Sequence, residues 1–255
     1  TQEALRRASD GRPKSFHLVS TTFIFGWSAP RTLLESDCNP EMKELDFGYA
    51  QTKWVAEQLV FEAAGRGMQA SVYRPSLLTA SLGGHYVRRD ITVRILAYMI
   101  RHGITVNIEN QLSFLPADIA ADHLIALSKL EHAPATTYHL TADHYYSFPV
   151  VTDVINRDFG YDFDYMDLES FIEHVNRHCT KDDLLFPLIP FINTNFRKLE
   201  QMRHKRYNNE QYRMGRDRAA HSCPEPPLEQ TLGAIVQFLQ REQLIPVASA
   251  ARSAS

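Results

Sequence analysis

The chain has 255 residues, of which 44% are hydrophobic and 22% are charged, and its formal net charge at pH 7 is −3. This composition is typical of a globular protein with a substantial core. The slight negative charge argues against a general binder of nucleic acids or anionic membranes. The three cysteines have no paired spacing, and no apolar stretch has the length of a membrane span. We therefore expect a reduced, cytoplasmic protein without a disulfide framework.

In chain order, short apolar runs alternate with segments rich in helix-forming residues. A helix is predicted to end near Ser9, where Asp10 and Gly11 follow it. Strands are predicted over residues 16–22, 69–73 and 138–140. Helices are predicted over residues 49–64, 90–102, 116–130, 148–159, 167–178, 196–212 and 228–241. Strands that alternate with helices indicate an α/β fold built on a parallel sheet.

Tyr49 and Lys53 are four residues apart in a predicted helix, so both side chains lie on one helical face. Tyr49 is therefore a candidate proton donor or acceptor beside an ammonium group. Such a pair is common by chance, but this one follows a strand that ends in Ser-Thr-Thr at residues 20–22. It also precedes a strand that ends in Arg74-Pro75. The order of these three motifs predicts a catalytic site.

These motifs resemble those of the extended short-chain dehydrogenase/reductase superfamily. Within it, the chain is most similar to the thioester reductase domains that end carboxylic acid reductases, aminoadipate reductases and some peptide or polyketide synthetases. The most diagnostic motif is GYAQTKWVAE at residues 48–57, which resembles thioester reductases more than nucleotide-sugar enzymes. HLVST at residues 17–21 and YRP at residues 73–75 add to the likeness. The resemblance covers roughly residues 1–130.

The resemblance implies an oxidoreductase that uses NADPH to cleave a carrier-bound acyl or peptidyl thioester. The product would be an aldehyde or, after a second reduction, an alcohol. The implied catalytic residues are Thr21, which would stabilise the carbonyl oxygen, Tyr49, which would donate the proton, and Lys53, which would hold the nicotinamide ribose and bias Tyr49. The implied cofactor contacts are Ser20, Tyr49, Lys53, Pro75, Ser76, Leu77 and Leu78. The implied substrate contacts are Thr22 and Phe23, and no metal is expected.

The implied partner is an acyl or peptidyl carrier protein with its phosphopantetheine arm. The protein is expected to be a monomer or part of a larger multidomain chain. One departure is serious, because the glycine-rich dinucleotide fingerprint belongs upstream of the Tyr helix and nothing like it occurs before residue 48. We therefore expect an N-terminally truncated chain, which in isolation would bind NADPH poorly.

The resemblance also implies a domain organisation. Residues 1–130 would form the C-terminal part of a Rossmann-type parallel sheet, including the Tyr-Lys motif. Residues 131–246 would form a mainly helical lobe that faces the substrate or carrier protein, and residues 247–255 a disordered tail.

Two alternatives to the thioester reductase stay open. One is a nucleotide-sugar epimerase or dehydratase with the same triad, and the other is a non-catalytic fragment that docks a carrier protein. His174 and His178 have a spacing that could bind a metal, but no further ligand motif accompanies them, so a solvated helix face is expected.

A basic segment follows residue 195, and it predicts either a solvated helical surface or a docking surface for an acidic carrier protein. Its cationic residues are Arg197, Lys198, Arg203, Lys205, Arg206, Arg213, Arg216 and Arg218.

Overall fold

The computed structural model describes residues 1–12, 14–27, 32–83, 89–131, 135–201, 205–219 and 223–248. The chain divides into two units, each of which is assembled from three separate segments. Unit 1 comprises Thr1–Leu78, Ile119–Asp143 and Lys205–Glu225, and unit 2 comprises Thr79–Asp118, His144–His204 and Pro226–Ser255. The domain boundaries predicted at residues 130 and 246 stay a prediction. Most of the predicted tail, residues 249–255, lies outside the described residues.

Strands and helices alternate along the chain, as an α/β fold requires. The strands are β1 (Phe16–Val19), β2 (Thr32–Leu33), β3 (Ala70–Pro75), β4 (Leu78–Thr79), β5 (Ile104–Val106), β6 (Leu115–Pro116), β7 (Thr136–Leu140), β8 (Asp164–Met166) and β9 (Arg206–Tyr207). The helices are α1 (Gln2–Ser9), α2 (Gly48–Gly65), α3 (Ile91–His102), α4 (Ala117–Ser128), α5 (Phe148–Phe159), α6 (Leu168–His178), α7 (Ile189–Gln201), α8 (Glu210–Arg218) and α9 (Leu228–Arg241).

Unit 1 contains a parallel three-stranded sheet in the order β1-β3-β7. Every residue of the central strand β3 is buried, as is usual for a parallel strand that is covered on both faces. Leu5 on α1 and Val60 on α2 pack with Val72 of β3 in one hydrophobic cluster. The α/β fold class and the parallel sheet are therefore confirmed.

Strand β1 is shorter than the predicted strand over residues 16–22. It ends at Val19, and the chain then turns into a 3₁₀ helix over Thr22–Phe25. The side chain of Thr21 caps this helix by accepting a hydrogen bond from the Phe23 amide at 3.2 Å. A hydroxyl at this position satisfies an amide that the helix leaves unpaired, which explains why the strand stops before the Ser-Thr-Thr run.

The predicted helix over residues 196–212 is wrong. Helix α7 ends at Gln201, and β9 and α8 follow it. Arg206 and Tyr207 are extended because they pair in parallel with Thr32 and Leu33 of β2. The local sequence contains good helix formers, but a strand partner far along the chain overrides that preference.

Unit 2 has its own hydrophobic core. Helices α5 and α9 contribute Val151, Ile155, Leu232 and Leu239 to one cluster, while β5 pairs in parallel with β8. Helices α3 and α5 end at Gly103 and Gly160, whose φ angles of 66° and 73° lie in the left-handed region that glycine tolerates. None of the helices within the described ranges combines the length and the hydropathy of a membrane span.

Candidate active site

The proposed site lies where β1 and β3 end, at the carboxyl edge of the unit 1 sheet. Thr22 Oγ1 donates a hydrogen bond to the Pro75 carbonyl at 3.5 Å and so links the two strand ends. The next amide, Ser76 N–H, donates to the Leu140 carbonyl at the end of β7, at 3.1 Å. All three strands therefore end together, which is where ligands bind in open parallel sheets.

Thr21 is buried at the start of the 3₁₀ helix, where its hydroxyl oxygen accepts a hydrogen bond from the Phe23 amide. The ring of Phe23 is partly exposed, and its centroid lies 5.8 Å from that of Phe47, immediately before α2. The predicted substrate contacts Thr22 and Phe23 thus differ in character, since Thr22 is buried against β3 while Phe23 presents an aromatic surface.

Helix α2 brings Lys53 to the end of β1. The Lys53 ammonium donates a hydrogen bond to the Val19 carbonyl at 2.8 Å, two residues before Thr21. Tyr49 lies one turn earlier, in the first turn of α2, and is 57% exposed. Within the described residues its hydroxyl makes no hydrogen bond, so it is available to a bound molecule. The structure therefore joins Lys53 to the strand that precedes Thr21 and leaves the phenol of Tyr49 open.

Ser20 provides a test of whether these residues fit a nucleotide cofactor. Its amide donates to the Tyr73 carbonyl at 2.7 Å, but its hydroxyl is buried and has no hydrogen-bond partner among the residues that the structure describes. Buried hydroxyls are normally paired, so an unpaired one at the carboxyl edge of a parallel sheet fits a site that takes a polar ligand. The other predicted cofactor contacts lie at the end of the neighbouring strand β3 and just after it. Pro75 is buried, and Ser76, Leu77 and Leu78 are half-buried.

Residues 1–124 match the model of an NAD-binding family described as "Male sterility protein". A subunit of linear gramicidin synthase from Brevibacillus parabrevis is 29% identical over 179 residues, which cover 69% of this chain and 4% of that protein. L-2-aminoadipate reductase from Schizosaccharomyces pombe is 28% identical over 212 residues, covering 76% of this chain and 15% of that protein. The chain is therefore similar to L-2-aminoadipate reductases and to a peptide synthetase subunit, and just under half of it matches the NAD-binding family model.

A solved structure has the same fold as this chain. The terminal R domain from the myxalamid PKS-NRPS biosynthetic pathway superposes with a TM-score of 0.86 at 24% identity, covering 96% of this chain and 63% of that one. The chain spans less than two thirds of the length of these relatives. The family match supports a nucleotide cofactor for this chain.

One buried ion pair of the chain was not assigned a role from the sequence. Arg74, near the end of β3, places Nη2 2.8 Å from Glu57 Oε2 on α2, and both side chains are 1% exposed. Arg74 Nη1 also donates to the Asp37 carbonyl at 2.9 Å. A charged residue within a buried strand needs a partner. The position of Arg74 at the end of a predicted strand was therefore the sequence signal that could have revealed the pair.

Glu35 was also missed. Its buried carboxylate accepts hydrogen bonds from the amides of His139 (2.8 Å), Gln211 (2.6 Å) and Tyr212 (3.1 Å). Burial raises the pKa of Glu35 to about 7, although the three amides favour the charged form. No local motif marks this residue, because its donors come from distant parts of the chain.

His139 is neutral in this environment. Its Nδ1 donates to the Asn208 carbonyl at 2.8 Å, and its Nε2 is buried with no hydrogen-bond partner in the described part of the chain. Burial, followed by the nearby charge of Arg74, lowers the pKa of His139 to about 3.

The basic segment that follows residue 195 is only partly a surface. Lys205 is buried, with its ammonium 2.8 Å from the Gly26 carbonyl. Arg216 is mostly buried and pairs with Asp143 at 2.8 Å. Arg206, Arg213 and Arg218 are exposed. Arg203 lies outside the described residues, as does the side chain of Arg197.

His174 and His178 lie on α6 in unit 2 with ring centroids 4.4 Å apart. His174 Nδ1 is 3.0 Å from the Tyr98 hydroxyl, and burial lowers the pKa of His174. In the part of the chain that the structure describes, no group of three His, Cys, Asp or Glu residues could hold a metal ion.

Proposed function

We propose that the intact protein is an NADPH-dependent reductase that releases a carrier-bound acyl or peptidyl thioester as an aldehyde. A second reduction, in which NADPH would supply a hydride to the aldehyde, would give the alcohol. The observation that carries the proposal is the contact of the Lys53 ammonium with the Val19 carbonyl. This contact places the Tyr-Lys helix against the strand that leads into Ser20 and Thr21.

The proposed chemistry needs one hydride, which NADPH supplies when bound, at the thioester carbonyl carbon. The Thr21 hydroxyl is proposed to donate a hydrogen bond to the carbonyl oxygen as negative charge develops on it. Tyr49 is proposed to protonate that oxygen, which gives a hemithioacetal. The hemithioacetal then loses its hydroxyl proton while its carbon–sulfur bond breaks, and the products are an aldehyde and the free thiol of the carrier arm.

For cofactor contacts we propose Ser20, Tyr49, Lys53 and the turn from Pro75 to Leu78. The unpaired Ser20 hydroxyl supports a polar contact there. Lys53 would hold the ribose with an ammonium that already faces the strand end. Thr22 and Phe23 are proposed to contact the substrate, with the exposed ring of Phe23 packing on the acyl chain or carrier arm.

For the partner we propose an acyl or peptidyl carrier protein. Arg206, Arg213 and Arg218 are the exposed cations of the basic segment, and they suit an acidic carrier surface and the phosphate of its arm. Lys205 and Arg216 are excluded from this surface, because their charges are buried against Gly26 and Asp143.

The test is a turnover assay with the intact protein, NADPH and a panel of acyl chains carried on a carrier protein or on free pantetheine. We expect NADPH to be oxidised as free thiol appears, and deuteride from labelled NADPH to appear on the aldehyde carbon. One NADPH per thiol indicates the aldehyde, and two indicate the alcohol. Parallel titration with NADPH and NADH decides the preferred cofactor.

The same assay, repeated with nucleotide sugars and NAD⁺ and accompanied by carrier-protein binding, tests the alternatives. An epimerase or dehydratase would convert a nucleotide sugar in the presence of NAD⁺ and leave acyl thioesters intact. A docking fragment would bind the loaded carrier protein without binding or oxidising NADPH. Either result would overturn the reductase proposal.

A further inference from the structure

A segment near the C-terminal end of the chain is built into unit 1 beside the proposed site. Residues 205–212 are here called the 205–212 segment. The segment begins at Lys205 and continues into β9, which pairs in parallel with β2. The Asn208 amide extends this contact by donating to the Leu33 carbonyl at 2.8 Å. Strand β2 belongs to the connection between β1 and α2, which begins with Ser20 and Thr21 and ends before Tyr49.

Lys205 fixes the start of this connection. It is 6% exposed, and its ammonium donates to the Gly26 carbonyl at 2.8 Å. Gly26 ends the 3₁₀ helix that Thr21 caps, and its φ of 52° lies in the left-handed region that favours glycine. Lys205 therefore binds the carbonyl of Gly26, and the backbone conformation of Gly26 sets where the 3₁₀ helix ends.

Glu35 fixes the second half of the same connection. Gln211 and Tyr212 lie in the first turn of α8, so Glu35 is a carboxylate at a helix N-terminus, where anionic groups are favoured. Its third donor is the His139 amide on β7. One carboxylate thus joins the connection to both the sheet and the 205–212 segment.

We propose that the 205–212 segment positions the catalytic residues by holding the β1–α2 connection at both of these points, with Lys205 and Glu35 as positioning residues. The proposal rests on the proposed reductase function. Burying an ammonium and a carboxylate is unfavourable unless their hydrogen bonds are made. Lys205 makes its bond from the segment to Gly26 in the connection, and Glu35 in the connection accepts its bonds from the segment and from β7. Loss of either bond leaves Thr21 and Tyr49 in place but less rigidly oriented.

The test compares Lys205→Met and Glu35→Gln with two matched controls in the intact protein. The controls are Lys129→Met and Glu131→Gln, which make the same changes at exposed positions of the same unit, outside the connection and the 205–212 segment. Lys205→Arg is added because it keeps a cationic donor. Turnover, the dissociation constant of NADPH and amide hydrogen exchange are measured for each protein.

We expect kcat to fall about 10- to 100-fold in Lys205→Met and Glu35→Gln, as small misplacements of catalytic groups do. The dissociation constant of NADPH should change less than about twofold, because neither residue is a proposed cofactor contact. Amides in residues 20–27 should exchange faster while those of β3 do not. Lys205→Arg should recover part of the lost rate, and the controls should match the parent protein.

Unchanged kcat in both folded variants would overturn the proposal, and so would equal loss of protection throughout unit 1. Failure of both variants to fold would also overturn it, because the two residues would then hold the whole unit rather than one connection. If the parent protein does not turn over thioesters, the reductase proposal fails by itself. Hydrogen exchange in residues 20–27 would still show whether Lys205 and Glu35 hold that connection.

Discussion

Arg74 on β3 and Glu57 on α2 form a buried ion pair whose closest atoms, Nη2 and Oε2, are 2.8 Å apart. Arg74 Nε lies 3.0 Å from Oε1 of the same carboxylate, so the contact is bidentate. The pair joins the helix that carries Tyr49 and Lys53 to the strand whose last residue is Pro75. It therefore fixes the distance between the two elements that supply most of the proposed site.

Glu57→Gln should lower the free energy of unfolding by about 3–5 kcal/mol, because it leaves the Arg74 guanidinium buried without a counter-charge. Urea denaturation followed by circular dichroism measures the loss. Glu62→Gln is the matched control on the same helix, since its carboxylate is 58% exposed, and it should change stability by less than about 0.5 kcal/mol. A loss of similar size in both variants would contradict the role of the buried pair.

Tyr49→Phe should reduce thioester turnover about 10²- to 10⁴-fold, because it removes the proposed proton donor. NADPH binding should be almost unchanged, since the ring and Lys53 both remain. Steady-state kinetics and fluorescence titration with NADPH measure the two effects. Tyr165→Phe is the control at another exposed tyrosine, outside the site. Retained turnover in Tyr49→Phe would remove this residue from the mechanism.

Lys53→Ala should weaken both NADPH binding and turnover, because one ammonium is proposed to hold the ribose and to act on Tyr49. It also loses the hydrogen bond to the Val19 carbonyl, so amide exchange near the end of β1 should rise. Lys43→Ala provides the comparison, because the Lys43 side chain is 75% exposed. If cofactor affinity and rate both stay at the parent values, the double role is wrong.

Charge reversal at Arg213 and Arg218 should raise the KM for a carrier-bound substrate on the order of tenfold, because like charges then face an acidic carrier protein. The KM for the same acyl group on free pantetheine should not change. Arg177→Glu, at an exposed arginine on α6, should affect neither substrate. An equal rise with free pantetheine would show that these arginines do not dock the carrier protein.

The contribution of Lys205 to stability should depend on pH. Burial lowers the pKa of Lys205 from 10.5 to about 8, so between these values the unfolded chain binds the proton that the folded chain has released. Relative to Lys205→Met, the parent protein should therefore gain up to about 3 kcal/mol as pH rises from about 8 to about 10.5. Urea denaturation of both proteins across this range checks the sign. A constant difference between them would refute the shift.

Much of the fold could be predicted where local chemistry decides the structure. Helices α5 and α9 have the predicted bounds, because a glycine ends α5 and Pro227 precedes α9. Asp90 caps α3 as a side-chain acceptor. The Tyr-Lys helix was predicted to within about a residue from its helix formers and its terminal glycines.

The rest depends on contacts between residues that are distant in sequence. Strand β9 was predicted as helix, since nothing local reveals its pairing with β2. The short strand β8 was missed because its stability comes from pairing with β5. For the candidate site, the sequence predicted Thr21, Tyr49 and Lys53, which stay a prediction, but it did not point to the Glu35 carboxylate, whose three donors come from β7 and α8.

The central position of β3 has a practical consequence for any attempt to divide this protein for expression. Strand β7 covers one edge of β3, although it lies beyond residue 130 in the chain. A fragment that stopped near residue 130 would display the unpaired amides and carbonyls of an apolar strand, and such edges recruit other chains. Aggregation of that fragment would therefore say nothing about whether the whole chain stays in solution.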